Sequence, residues 1–327
     1  MNQARHSAKL LTVLCPMFNE EANIEALLHF FVQAMPKEKE LWVIDGGSTD
    51  QSAAIVADWA SRHPKIRLLH NRHQTVPYAL NIGIQASKGD PIVRLDAHTK
   101  YAEDYFEAVL QTFEKTGADI VGGPMRVVGD TPVQQAIGSA TSNWFGIGDS
   151  RFHNEHSSGW TDSVYLGAWK REIFVEIGAF DEQLTRNQDD EFHYRARKHG
   201  KQIYLNPAIR SYYSPRKTLG QLFRQYYQYG FYKPLVFKRL QGSVRPRHLA
   251  PAGLVLYLLS LPLAFVWSGW LLPGFGYLGL NLFFSLSAGI PWSARAIALA
   301  VYPTLHLSYG LGFLRGLWHW NIAKHES

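Results

Sequence analysis

Four short apolar runs, LLTVLCP from Leu10, ELWVI from Glu40, IRLL from Ile66 and PIVRL from Pro91, alternate with amphipathic stretches at 22–35, 51–62, 77–87 and 102–116. Short apolar runs suit buried strands, and stretches with helical spacing of apolar residues suit surface helices. The alternation predicts βα units, and so an α/β fold built on a mostly parallel, doubly wound sheet. Such sheets bind ligands beyond the carboxyl ends of their strands. The polar residues that follow the runs are therefore the ones to inspect: Asn19 and Glu20, Asp45, Asn71 and Arg72, Asp96 and His98.

Residues 129–165 lose this rhythm and are rich in Gly, Ser, Asn and His, which predicts a long loop region over a site. Further on, IFVEIG predicts a short helix ending at Gly178, and NQDDEFHYRARKHGKQIYL predicts a helix with an acidic start and a basic end, followed by a strand. From Leu249 to Ala294 there are 46 residues without Asp, Glu, Lys or Arg. A single membrane crossing needs about 20 residues, so two crossings fit, with PGFG at 273–276 as the turn. After Arg295 the uncharged run AIALAVYPTLHLSYGLGFL, 19 residues long, predicts a third hydrophobic segment. A buried helical core domain would carry a charged outer face, which this stretch lacks. Trp292, Tyr302, Trp318 and Trp320 resemble interfacial anchors, and Lys233, Lys238, Arg239, Arg245 and Arg247 place the preceding domain in the cytoplasm by the positive-inside rule. Residues 1–10 are polar and the LLTVLCP run is short, which speaks against a signal peptide.

Charge sharpens this picture. The net charge of +6 divides into −9 for residues 1–191 and +15 for 192–327, with no carboxylate between Glu191 and Glu326. An anionic partner is expected on that half: a membrane surface or a diphosphate. A nucleic acid fits less well, because the basic residues adjoin a membrane segment. The single cysteine, Cys15, excludes a disulfide framework and a CxxC zinc ribbon, and fits a reducing compartment. At 46% hydrophobic content the chain is not broadly disordered, and neither repeats nor low-complexity tracts are visible.

PMFNE at 16–20 follows the first run and DGGSTD at 45–50 the second. The glycines permit close backbone approach, and Asp50 is placed to cap the helix beginning near Gln51. Each motif alone is explained equally well as a turn with a capping residue. Taken in order, PMFNE, VIDGGSTD, ALNIGIQASKGDPIVRLDAH, GAFDE and NQDDEFHYR resemble an inverting family 2 glycosyltransferase with a GT-A fold, over roughly residues 10–240. The chain is similar in particular to membrane-attached succinoglycan/exopolysaccharide (ExoA-like) glycosyltransferases.

The resemblance implies a catalytic domain over 1–240, with an interfacial segment near 216–247 and a hydrophobic membrane region of two to three helices at 249–320. It implies that Pro16, Asn19 and Glu20 line the donor site, that Asp45 faces uracil or its ribose, and that Arg72 adds contacts to base or phosphate. Asp96, near the ribose of the donor or the metal, and His98, the candidate direct metal ligand, occupy the DxD positions, where a divalent cation sits on the donor diphosphate. Imidazole in place of the usual carboxylate leans towards manganese over magnesium. Asp189 aligns with the family's general base and Gln188 with its preceding Glu, with Asp190 the alternative base. Repulsion among the adjacent acids is expected to raise at least one pKa. Gln221 and Arg224 of QLFRQ match the QxxR motif near acceptor and diphosphate, and the missing tryptophan argues against processive synthesis.

The implied reaction moves glucose from UDP-glucose to a polyprenyl-diphosphate-linked glycan at the cytoplasmic face of the inner membrane. Two alternatives remain at this stage: transfer to a polyprenyl phosphate itself, and a non-catalytic membrane protein that binds nucleotide sugars.

Overall fold

The computed structural model describes residues 10–240 and 245–322. Residues 1–9, on which the signal-peptide expectation rests, and 241–244 of the expected interfacial segment lie outside the described residues. The chain opens with β1 (Leu11–Met17), α1 (Ile24–Gln33), β2 (Lys39–Asp45), α2 (Ser52–Arg62), β3 (Ile66–His70), α3 (Val76–Ala86) and β4 (Ile92–Arg94). It continues through β5 (Thr99–Tyr101), α4 (Tyr105–Thr116), β6 (Ile120–Gly123), β7 (Met125–Val127), α5 (Pro132–Ala140), α6 (Trp144–Ile147), β8 (Gly159–Thr161), β9 (Tyr165–Trp169) and α7 (Glu172–Glu176). Then follow α8 (Gln188–Lys198), β10 (Ile203–Leu205), β11 (Ser211–Tyr213), α9 (Leu219–Arg239), α10 (Pro246–Leu259), α11 (Leu272–Ser287) and α12 (Trp292–Ile322).

Two compact units result. One comprises residues up to 126 together with 155–213, and the other 127–154 together with 214–327. This division does not follow the expected boundary at 240, because α9 packs with the C-terminal helices.

The first unit is the α/β domain. Its main sheet has eight strands in the order β3-β2-β1-β4-β9-β6-β10-β8. Strands β3, β2, β1 and β4 are parallel, whereas β9 runs antiparallel to β4 and β6, so the sheet is mixed. Strand β1 is buried along nearly all its length, which explains its continuous apolar run. Helix α1 buries Ile24, Leu27, Leu28 and Phe31, the stripe expected of a helix packed on a sheet. Cys15 belongs to this core. Burial, and then the charges of Asp96 and Glu20, push its thiol far up, so it is an inert packing residue. The second sheet is small, with the order β5-β11-β7.

In the second unit, part of the loop expected at 129–165 is helical. Residues 132–140 are helical because Thr131 and Gln134 form a capping box, with Pro132 at the first helical position. Helix α5 packs Ala136, Ile137 and Ala140 against Ala298, Val301, Tyr302 and Leu305 of α12. Asn143 Nδ2 donates to Tyr302 Oη (2.8 Å), and His306 of α12 joins Phe145 O (2.8 Å) to Tyr277 Oη (2.9 Å).

Among the described residues one helix, Trp292–Trp320, is long and apolar enough to cross a membrane. The expected crossings within 249–294 are instead α10 and α11, of 14 and 16 residues. At about 1.5 Å per residue each is shorter than the ~30 Å hydrocarbon core. The turn expected at PGFG lies inside α11, where Pro273 occupies the first turn and needs no backbone donor, and the chain reverses through two 3-10 turns at Leu261–Phe265 and Ser268–Leu271.

Helices α9 and α12 approach until backbones touch. A Cβ at Gly312 would lie 2.1 Å from Tyr227 O, one at Gly316 2.2 Å from Phe231 O, and one at Gly230 2.1 Å from Tyr309 O. Small residues at such a crossing let dispersion contacts form along the whole interface. Gly312→Leu is accordingly expected to destabilise the protein by about 2–3 kcal/mol in thermal unfolding in detergent. Gly279→Leu, where an added Cβ meets nothing within 4 Å, is expected to leave the transition in place.

Candidate active site

The register ends β1 and β2 level, Met17 pairing with Asp45, whereas Arg94, the last residue of β4, pairs with Leu14, three residues before the end of β1. Strand order reverses between β1 and β4, the place where open α/β sheets leave a crevice. Around it the loops after β1 and β2 are fastened to each other. Asn19 N donates to Ser48 Oγ (2.9 Å) and Thr49 N to Asn19 Oδ1 (2.8 Å), while Glu20 N donates to Ser52 Oγ (2.7 Å). Asn19 takes a left-handed φ of 53°, which its short polar side chain tolerates. Asp50 does not occupy the expected cap position, which Gln51 takes, but accepts from Ser52 N (3.0 Å) and Glu21 N (3.2 Å).

Asp45 is only 3% exposed, and its carboxylate is occupied by its own turn, accepting from Ser48 Oγ (2.6 Å), Ser48 N (3.1 Å) and Gly47 N (3.3 Å). It organises the loop after β2. Pro16 lies within β1, and Arg72 is exposed in the turn after β3.

The densest chemistry stands at the end of β4. Arg94 is 8% exposed and forks onto Asp96, with Nε to Oδ1 at 2.9 Å and Nη2 to Oδ2 at 3.3 Å, while Nη1 reaches Asp189 Oδ2 at 2.8 Å. Burial opposes the cation, but Asp96 and then Asp189 hold the guanidinium above its usual range. The main chain of Asp96 is fixed by Tyr101, whose phenol accepts from Asp96 N (2.8 Å) and donates to Asp96 O (3.2 Å). His98, 41% exposed at its side chain, places Nδ1 2.8 Å from Glu20 Oε1, and Glu20 Oε2 accepts from Asn23 Nδ2 (2.8 Å). A Nδ1–H donated to Glu20 selects the tautomer with its lone pair on Nε2, the arrangement that carboxylates impose on metal-binding histidines. Glu20, Asp96, His98 and Asp189 thus form one chain of contacts through Arg94 and the 96–98 turn.

Asp189 opens α8, and its side chain is 36% exposed. The expected crowding with its acidic neighbours is relieved by separate partners. Asp189 pairs with Arg94, and Glu191 forms a bidentate pair with Arg195 (2.8 and 2.9 Å), because successive helical residues point in different directions. Asp190 is half-buried beside them. Two polar atoms on one face of α8, Asp189 Oδ1 and His193 Nε2, are buried without a hydrogen-bond partner among the described residues. His193 Nδ1 contacts Ser163 Oγ (3.0 Å), and burial lowers the imidazole's pKa despite Asp189 and Asp190, keeping the ring neutral.

Other motif residues are braces. Asn81 of the ALNIG segment donates to Phe180 O (2.9 Å) and Glu182 Oε1 (2.9 Å) and accepts from Phe180 N (3.0 Å), tying α3 to GAFDE. Arg195 donates to Ala179 O (2.8 Å) and so seats α8 on the same turn. Gln221 and Arg224 belong to the second unit, at the start of α9, where Gln221 Oε1 accepts from Lys217 N (3.1 Å) and Arg224 is exposed. Sequence reasoning passed over Arg94, although a lone arginine inside the apolar run IVRL of a central strand requires buried counter-charge and was a usable signal.

A mixed sheet of this order with acids gathered at its carboxyl edge defines the class, a GT-A-type glycosyltransferase. Residues 12–178 match the Glycosyl transferase family 2 model, and the chain belongs to that family. It is 28% identical over 312 residues to the succinoglycan biosynthesis protein ExoA of Rhizobium meliloti, covering 93% of this chain and 94% of that one. It is 26% identical over 261 residues, 77% of this chain and 80% of the other, to a dolichyl N-acetyl-alpha-D-glucosaminyl phosphate 3-beta-D-2,3-diacetamido-2,3-dideoxy-beta-D-glucuronosyltransferase of Methanococcus voltae. Among solved structures, the mannosyltransferase PcManGT of Pyrobaculum calidifontis, in complex with GDP-Man and Mn2+, shares the fold with a TM-score of 0.58 at 20% identity, covering 95% of this chain and 88% of that one.

The Asn81 brace yields a direct expectation. Asn81→Leu strands the buried Phe180 N–H without an acceptor and costs about 1–3 kcal/mol, read as a lower midpoint in denaturant with an unchanged slope.

Proposed function

We propose that the protein transfers a sugar with inversion, glucose from UDP-glucose, to a polyprenyl-diphosphate-linked glycan at the cytoplasmic face of the inner membrane, in exopolysaccharide biosynthesis. The observation that carries this reading is the joining of Glu20, Asp96, His98 and Asp189 at the carboxyl edge of the sheet through Arg94 and the 96–98 turn.

The donor set at Asp96 and His98 suits a divalent cation shared with a diphosphate. Each Asp96 oxygen carries one bond from Arg94 and retains a lone pair, and Glu20 holds the His98 ring through Nδ1. Among the described residues no group of three or more His, Cys, Asp or Glu is placed to hold a metal, so the donor's own oxygens are needed to complete the shell. Hard cations such as Mg²⁺ and Mn²⁺ are bound in that way, through one or two protein ligands plus substrate phosphates. When bound, the cation neutralises the departing diphosphate.

Asp189 takes the proton of the acceptor hydroxyl as that oxygen attacks the anomeric carbon and the bond to the diphosphate breaks. Its pairing with Arg94 holds the carboxylate in one orientation. Asn19 and Asp45 shape the adjoining loops, from which the nucleoside is held, and Arg72 extends that surface.

A lipid-linked acceptor is supported by the second unit. Phe265 (95% exposed), Val266, Leu272, Phe275 and Trp292 present apolar side chains along a stretch without charge. Short apolar helices of this kind suit the membrane interface, beside α12 as the spanning anchor. The related Methanococcus voltae enzyme is named for a lipid-linked sugar acceptor.

The test is radiolabelled sugar transfer by the membrane-embedded protein, with a panel of nucleotide sugars and Mn²⁺ or Mg²⁺. UDP-glucose is expected to label a polyprenyl-diphosphate glycan and leave polyprenyl phosphate unlabelled. Asp189→Asn is expected to lower kcat by about 10²–10⁴ with little change in donor KM. Wild-type turnover in that variant would remove Asp189 from its role, and label in polyprenyl phosphate would reassign the acceptor.

A further inference from the structure

Arg94 links two carboxylates to which the proposed reaction gives incompatible tasks. Asp96 lies two residues on, at the end of β4, and Asp189 comes from the start of α8. Both bond one guanidinium, so they stand within a single side chain's width of each other. A divalent cation beside Asp96 attracts every carboxylate within reach, because hard cations gather oxygen ligands. A carboxylate drawn into that shell gives up the lone pairs with which it would accept a proton.

The two carboxylates are kept on different edges of the guanidinium plane. Asp96 occupies the side edge, Nε and Nη2, while Asp189 is bonded at Nη1. An ammonium offers no such rigid, two-sided plane. The plane itself is held by β4, which lies between β1 and β9 in the sheet. The bond to Arg94 uses Asp189 Oδ2, while Oδ1 is buried without a hydrogen-bond partner among the described residues.

We propose that Arg94 is a positioning residue that divides the labour of the two carboxylates: it keeps Asp189 off the cation assigned to Asp96 and His98, and so preserves it as the base for the acceptor. This inference rests on the roles given above to Asp96, His98 and Asp189. It differs from simple bracing in what happens when the guanidinium is removed. A brace that is lost weakens everything at once, whereas a lost divider lets Asp189 join the cation, so that metal binding survives while catalysis fails.

The experiment uses full-length protein in detergent carrying Arg94→Met, Arg94→Lys, Asp189→Asn, and Arg94→Lys with Asp189→Asn. Three quantities are read: kcat and donor KM, Mn²⁺ affinity in the presence of UDP by electron paramagnetic resonance, and the thermal midpoint. Arg94→Met is expected to lower kcat by at least about 100-fold, the scale of a misplaced catalytic group, with donor KM within a few-fold. Its Mn²⁺ affinity is expected to be unchanged or tighter.

Should Arg94→Met fold poorly, Arg94→Lys carries the test. It is expected to slow wild-type turnover by about tenfold or more and to change the residual Asp189→Asn rate by less than about twofold, since residues acting through one another are not additive. Parallel loss of Mn²⁺ affinity and kcat overturns the proposal, as does an equal cost of Arg94→Lys in both backgrounds. Full activity of Asp189→Asn also overturns it, and does so by removing the base assignment itself, which separates the two failures.

Discussion

A guanidinium at the carboxyl end of a central strand stays buried only if carboxylates meet it, and Arg94 is met by Asp96 and Asp189. That pairing joins residues 95 positions apart in the chain and brings the start of α8 to the end of β4. Much of the rest of the α/β unit serves to make it possible. The parallel run of β1, β2 and β4 turns their carboxyl ends to one edge, Tyr101 fixes the Asp96 main chain, and Arg195 with Asn81 holds α8 and α3 on the GAFDE turn. The site is thus a set of charges whose mutual neutralisation is also part of the folding of the domain.

The motif residues differ in what their side chains bond. Asp96 and His98 reach the crevice edge, and Glu20 sets the orientation of His98. Asp45, by contrast, spends its hydrogen-bonding capacity on its own turn, and the arginine that ends NQDDEFHYR is a clamp on Glu191 and on backbone carbonyls.

The parallel half of the sheet was legible because β1, β2 and β4 are buried on both faces and read as unbroken apolar runs between amphipathic helices. Asp96 and His98 were singled out from their place after a strand, and Asp189 through the family resemblance. The helix at 132–140 was missed because glycines and serines dominate the surrounding composition, although Thr131, Pro132 and Gln134 form a capping signature visible in the sequence. The two short apolar helices were missed for a different reason. Hydropathy reports how apolar a stretch is, and it does not report that the chain breaks into 3-10 turns at 261–271. Long-range pairings such as Arg94 with Asp189 and Asn81 with Phe180 depend on tertiary folding, which no local pattern encodes.

The most direct test of this account is a structure of the protein with UDP and Mn²⁺, with the ion located by anomalous scattering. The account predicts the ion bonded to Asp96 and to Nε2 of His98, with Arg94 still paired to Asp189 and Asp189 outside the coordination shell. An ion bridging Asp96 and Asp189, with His98 turned away, would contradict it.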